Sequence, residues 1–207
     1  MGLFKKIINQ TRKPQGKLGT MMINGMNSGH AKLSDWGMAY LDRVEALTLL
    51  DIGCGGGRNV GELMQMYPNA KGTAIDYSEL SVEKTREYNK KLVASGRLEV
   101  VQGDVSGLEL SGDTYDLATA FETIYFWPGL VKCFSEVRKV LKDGGYFMIV
   151  NESDGKDNAG LKYEKIIDGM KCYTSEQIEE ALKQVGFRKV RSVHHGSKPW
   201  ITVIAKK

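Results

Sequence analysis

Cysteine is scarce in this 207-residue chain: Cys54, Cys133 and Cys172 are the only three, and no two share CxxC spacing. That pattern excludes a disulfide framework and a thiolate zinc site, and it fits a reducing compartment, so a cytoplasmic location and no metal are expected. Long apolar runs are lacking too. None could cross a bilayer, and the start, MGLFKKIINQTRKPQGKLG, has no sustained apolar core of the signal-peptide kind. Lys6 stands where the myristoylation pattern needs Ser or Thr. Charge of one sign is also in short supply: a net charge of +4 falls below the basic stripe of a dedicated nucleic-acid binder, so no DNA partner is expected. There is no repeat and no low-complexity tract.

What is present is alternation. Hydrophobic residues at 42% and charged residues at 26% suffice for one globular core. LTLLDIG (47–53) reads as a buried strand and RNVGELMQMYP (58–68) as a helix. AKGTAID (70–76) is a strand, SELSVEKTREYNKKLVAS (78–95) a helix, and RLEVVQG (97–103) a strand. YDLATAF (115–121), LVKCFSEVRKVLK (130–142) and GYFMIVNE (145–152) continue the series as strand, helix and strand. TSEQIEEALKQVGF (174–187) is a capped helix. RKVRSVHH (188–195) and WITVIAKK (200–207) flank a Gly-Ser-Lys-Pro turn and read as an antiparallel hairpin. Such alternation predicts an α/β doubly wound sheet of seven strands, mostly parallel, with helices on both faces. The main domain is expected over 31–207, with a basic segment or lid at 1–30 and an insertion over the ligand edge at 153–172. Within the first segment, Leu3, Phe4, Ile7 and Ile8 could share one apolar face, with Lys5 and Lys6 opposite.

Ligands in such sheets bind beyond the carboxyl ends of the strands. After the first strand, glycine fills four of the five positions 53–57, in the pattern Asp51, Gly53, Gly55, Gly57. A dinucleotide loop would want a third glycine where Arg58 stands. The second strand ends in Asp76-Tyr77-Ser78, the third in Gly103-Asp104-Val105 and the fourth in FETIYFWPG (121–129).

In sequence order these motifs resemble the class I S-adenosylmethionine-dependent methyltransferases, most of all the small-molecule, ubiquinone-biosynthesis-type branch. LLDIGCGGG corresponds to the first motif, GTAIDYS to the acidic second-strand motif, QGDV to the adenine-side motif, and LKDGGYFMI to the helix-to-fifth-strand signature. The resemblance implies a Rossmann-like fold and S-adenosylmethionine as cofactor, leaving S-adenosylhomocysteine. Asp51, Gly53, Cys54, Gly55, Asp76, Tyr77, Asp104, Val105, Phe121 and Glu122 are the expected cofactor residues. Asp76 would accept the ribose hydroxyls and Asp104 the adenine amino group.

The sulfonium is an activated donor, so the protein's task is alignment and exclusion of water. Methyl transfer to an oxygen, nitrogen or sulfur of a small-molecule acceptor is expected. RNA or protein as acceptor, and a non-catalytic binding module, are the alternatives. His30 and Tyr125 are the candidate catalytic residues. Trp36, Tyr125, Trp127, His194 and His195 are candidates for the acceptor pocket. A monomer or homodimer is expected.

Overall fold

The computed structural model describes residues 7–207, so Leu3, Phe4, Lys5 and Lys6 of the N-terminal apolar face lie outside the described residues. The elements are α1 (Gly16–Gly29), α2 (Ala31–Met38), β1 (Thr48–Ile52), α3 (Arg58–Met66), β2 (Lys71–Asp76), α4 (Glu79–Tyr88), α5 (Lys90–Ala94) and β3 (Leu98–Gln102). They continue with β4 (Tyr115–Phe121), α6 (Leu130–Val140), β5 (Leu141–Asn151), α7 (Asn158–Ile166), α8 (Ser175–Gln184), β6 (Arg188–His194) and β7 (Ile201–Lys206).

The seven strands are ordered β3-β2-β1-β4-β5-β7-β6. β1 to β5 pair in parallel, and β7 runs antiparallel to both β5 and β6. The order reverses between β1 and β4, which puts the switch point directly after the glycine cluster. Successive residues of the central strands serve opposite faces, as the period of two requires. Leu50, Phe147 and Ile149 join one buried cluster; Leu49, Met148 and Val150 join the other. α6 covers the first face with Leu130, Cys133, Phe134, Val137 and Val140, an apolar stripe at helical spacing. α8 starts with a reciprocal capping box between Thr174 and Gln177.

Three local expectations change. The helix over 78–95 divides at Asn89, whose buried amide donates to the carbonyls of Gly57 (2.8 Å) and Thr85 (3.1 Å). The fifth strand begins at Leu141, four residues before the expected start, because Tyr115 pairs with Leu141 ahead of a bulge. Residues 153–172 contain a helix, α7, capped by Asp157, which accepts from the Gly160 amide at 2.7 Å.

Candidate active site

The loop from β1 to α3 is tied to the neighbouring strand: the amides of Gly53 and Cys54 both donate to the Ile75 carbonyl, at 2.7 and 3.1 Å. Gly55 has φ +54°, and a Cβ built there meets no protein atom closer than the Gly53 carbonyl oxygen at 4.0 Å. It borders a cavity of ≈ 320 Å³, so the backbone is bare towards whatever occupies that space. Gly56 has a different reason. A Cβ there would collide with the side chain of Asn27, which donates to the Gly56 carbonyl at 3.2 Å. This glycine seats the N-terminal helix α1 on the loop.

Asp76 ends β2 with one carboxylate oxygen accepting from the Gly55 amide (3.0 Å) and the other from Ser78 (2.9 Å). Burial raises its pKa, and the two amides act against that shift. Ser78, not Asp76, caps α4 through its hydroxyl. Asp104 accepts from the Ser106 amide at 2.7 Å and is exposed on the cavity side of β3, with Val105 beside it. Gly53, Cys54, Tyr77, Phe121 and Glu122 also border the cavity.

Asp51 does not border it. It is 2% exposed and its Oδ1 accepts from the Thr119 hydroxyl of the adjacent strand at 2.8 Å, with burial pushing its pKa up to about 7. Its place in a central strand turns it to the neighbouring strand, and the structure shows no direct face of it towards the cavity where cofactor contact was expected. Cys54 is a buried thiol whose sulfur receives the Thr85 hydroxyl at 3.3 Å, and burial raises its pKa far above the usual thiol range.

The roof comes from the segment expected as a lid, through residues that carry no individual sequence signal. Thr11, Arg12, Pro14, Met26 and Asn27 all border the cavity. The Tyr77 hydroxyl donates to the Arg12 carbonyl, and Ser78 donates to that of Pro14 at 3.1 Å, which closes the segment over the end of β2. On the other side, Asn9 and Asp168 exchange two hydrogen bonds (3.1 and 2.9 Å), and Arg12 donates to the Asp168 carbonyl at 3.1 Å.

At the methionine end of the expected cofactor site, three elements bring titratable groups together. His30 Nε2, between α1 and α2, lies 3.6 Å from Glu152 Oε2 and 4.0 Å from Glu122 Oε2. Glu122 has φ +58°, unusual for a residue with a side chain, and its Oε1 accepts from the Tyr125 hydroxyl (3.0 Å) and the Glu152 amide. Burial drives the Glu122 pKa up to about 8. Burial also lowers that of His30, with Glu152 opposing the shift. The ligand atoms of His30, Glu122 and Glu152 lie within 4.8 Å of one another, the one such group among the described residues that could hold a metal ion. Glu152 follows the fifth strand in sequence, but nothing local signals that it meets His30.

The aromatic and histidine candidates are distributed differently from expectation. Tyr125 is buried below the cavity, where its hydroxyl accepts from the Ser153 amide at 3.0 Å; the tight turn Ile124–Phe126 turns Phe126 to the cavity instead. Trp127 borders the cavity, and its ring stacks on Phe147 at 6.3 Å. Trp36, His195 and Trp200 form a separate aromatic group, with His195 5.5 Å from Trp36 and 5.0 Å from Trp200. His194 meets the Ser175 hydroxyl at 3.1 Å. Trp36, His194 and His195 do not border the cavity: β7 intervenes between β5 and β6 and carries the histidine turn away along the sheet, and Trp36 packs from α2 against His195.

A family model described as a methyltransferase domain matches residues 43–195. The sterol 24-C-methyltransferase of Debaryomyces hansenii is 29% identical over 152 residues, which covers 69% of this chain and 40% of that protein. Sterol methyltransferase-like 2 of Botryococcus braunii is 30% identical over 161 residues, covering 73% and 41%. The chain thus spans about two fifths of the length of these curated relatives. A S-adenosylmethionine-dependent methyltransferase from Aquifex aeolicus superposes with a TM-score of 0.74 at 22% identity, over 90% of this chain and 97% of that one. A chain from the complex between the Haloferax volcanii Trm112 methyltransferase activator and a methyltransferase gives 0.81 at 17% identity, over 89% and 93%. These two likenesses speak for the fold. The relatives are named for sterols and lend no support to the expected ubiquinone-type branch. With the family match covering most of its length, the chain belongs to the methyltransferase-domain family, within the class I S-adenosylmethionine-dependent methyltransferases.

Proposed function

We propose that this chain transfers the methyl group of S-adenosylmethionine to carbon in a small apolar acceptor, and that His30 receives the proton the acceptor then sheds. The cluster of His30, Glu122 and Glu152 at one end of the cavity carries this reading. The chain's own residues fit the cofactor. Gly55 leaves room for close approach, the acceptor-only carboxylate of Asp76 retains lone pairs beyond its two amide bonds, and Asp104 stands on the next strand end. When bound, the cofactor supplies a methyl group already activated by the sulfonium.

The remaining work is alignment, which can supply roughly 7–11 kcal/mol. Met26, Phe121, Phe126 and Trp127 line the cavity with apolar surface and keep water from the transfer. An alkene carbon that takes a methyl group leaves a cationic neighbour, and a neutral product requires loss of a proton. Burial keeps the imidazole of His30 neutral around pH 7, and Glu152 beside it stabilises the imidazolium formed by proton uptake. Glu122, with its pKa raised to about 8, stays protonated there and adds no second negative charge. The expectation of an oxygen, nitrogen or sulfur acceptor moves to carbon on the strength of the reaction for which the relatives are named, 24-C methylation.

A donor labelled in its methyl group, incubated with the protein and an isoprenoid lipid extract, is expected to label a product on a new carbon–carbon bond. His30→Ala is expected to lower turnover by about 10²–10⁴-fold while donor binding persists. Label on a heteroatom would overturn the carbon assignment, and full turnover in His30→Ala would remove the base.

A further inference from the structure

The net positive charge of the chain comes entirely from its first 34 residues, which hold six Lys or Arg and no Asp or Glu; the remaining 173 hold 23 basic residues against 25 acidic. This segment also carries three exposed apolar side chains, while Leu47, Met66, Tyr88 and Val131 are exposed elsewhere on the chain. Among the described residues nine large hydrophobics are exposed. Ile7, Leu18 and Met21 belong to the N-terminal segment, and Leu161 and Tyr163 belong to α7. Met21, at 70%, is the most exposed of the nine.

The distribution follows the helix. α1 turns Gly19 and Ile23 inward, where a Cβ on Gly19 would press on Pro14 and Leu80. Its outer face carries Lys17, Leu18 and Met21, spaced to lie together within one turn. Acidic groups on the adjoining α7 region are directed to internal partners: Glu164 accepts from the Cys172 amide at 2.8 Å, and Asp168 pairs with Asn9. The two segments are joined through Asn9, Arg12 and Asp168, and the first of them roofs the cavity.

Lysines flanking exposed Leu and Met match an interface where charged headgroups meet acyl chains, and water alone leaves that apolar area uncovered. RNA would satisfy the lysines but not Met21 and Leu18. Among the described residues no helix is long and apolar enough to cross a membrane, so the contact is with the surface. We infer that the surface formed by the N-terminal segment and the adjoining α7 docks on an anionic lipid surface, with the cavity that the N-terminal segment roofs held just behind it. This inference concerns location and stands independently of which atom is methylated.

The test is cosedimentation of the full chain with vesicles of phosphatidylcholine alone or mixed with phosphatidylglycerol, at low and high salt. Binding is expected only with the anionic vesicles, and weakening as salt rises. Lys17→Ala is expected to weaken it about fivefold, and Met21→Asp about tenfold or more. Both sites are exposed, so S-adenosylmethionine affinity in each variant is expected to equal that of the wild type, which separates lost docking from lost folding. Absence of binding to anionic vesicles, equal binding to neutral ones, or wild-type binding by both variants would overturn the inference. Retention on single-stranded RNA without vesicle binding would overturn it in favour of a nucleic acid.

Discussion

Asp76→Ala is expected to abolish the heat of S-adenosylmethionine binding in a calorimetric titration while the chain stays folded. Asp76 is 7% exposed, and its oxygens hold the Gly55 amide on one side and the Ser78 amide on the other. Alanine removes the acceptors offered to the cofactor's two ribose hydroxyls and also frees the glycine loop at its closest point to the cavity. Hydrogen bonds to a charged group are worth about 1.5–3 kcal/mol each, so losing two weakens binding by about 10²–10⁴-fold. Asp76→Asn keeps one carbonyl oxygen and is expected to fall between the two. Undiminished affinity in the alanine variant would remove Asp76 from the site.

Glu122→Gln is expected to flatten the decline of stability with rising pH. Burial raises the pKa of the Glu122 carboxyl from the usual 4.5 to about 8; the hydrogen bond from the Glu152 amide opposes this, and the Glu152 carboxylate adds a smaller rise. Its contribution to stability is complete below the unfolded value. As pH rises past that value, the unfolded chain releases this proton and the folded chain retains it, so stability falls until the folded value near 8 is reached. One proton retained over that window corresponds to about 1.4 kcal/mol per pH unit, or about 4 kcal/mol from pH 5 to pH 8. Glutamine has no proton to release, and its oxygen can still accept from Tyr125 and the Glu152 amide. Urea unfolding at several pH values checks this: the variant's curve is expected to be shallower by about one proton. Parallel curves would show that Glu122 is not held protonated. Asp51, raised to about 7, acts in the same direction in both proteins and leaves part of the slope in the variant.

The strands and the cofactor edge were legible because their signals are local. Leu49–Ile52 and Phe147–Val150 are buried on both faces and read as near-continuous apolar runs, and Asp76, Asp104 and Glu122 stand at or just after successive strand ends. A lid at 1–30 was expected, but its helix and the contacts that seat it were not legible. α1 has glycine at 16, 19, 25 and 29, a composition that argues against a helix, and its fold depends on docking: Gly19 against Pro14 and Asn27 against Gly56. The role of Gly56 could not be read without that partner. Trp36 went to a separate aromatic group because Gly37, one residue on, is the position pressed against Val150, and a single helical step turns the next side chain about 100° away. His30 and Glu152 are 122 positions apart, and no sequence pattern announces their approach.

The central claim is that the cavity beside Gly55, Asp76 and Asp104 is an S-adenosylmethionine site. Calorimetric titration of the wild-type chain with S-adenosylmethionine and, separately, with NAD tests it most directly. Saturable binding of S-adenosylmethionine at one site, with no saturable heat from NAD, is the predicted result; saturable NAD binding without S-adenosylmethionine binding would contradict it.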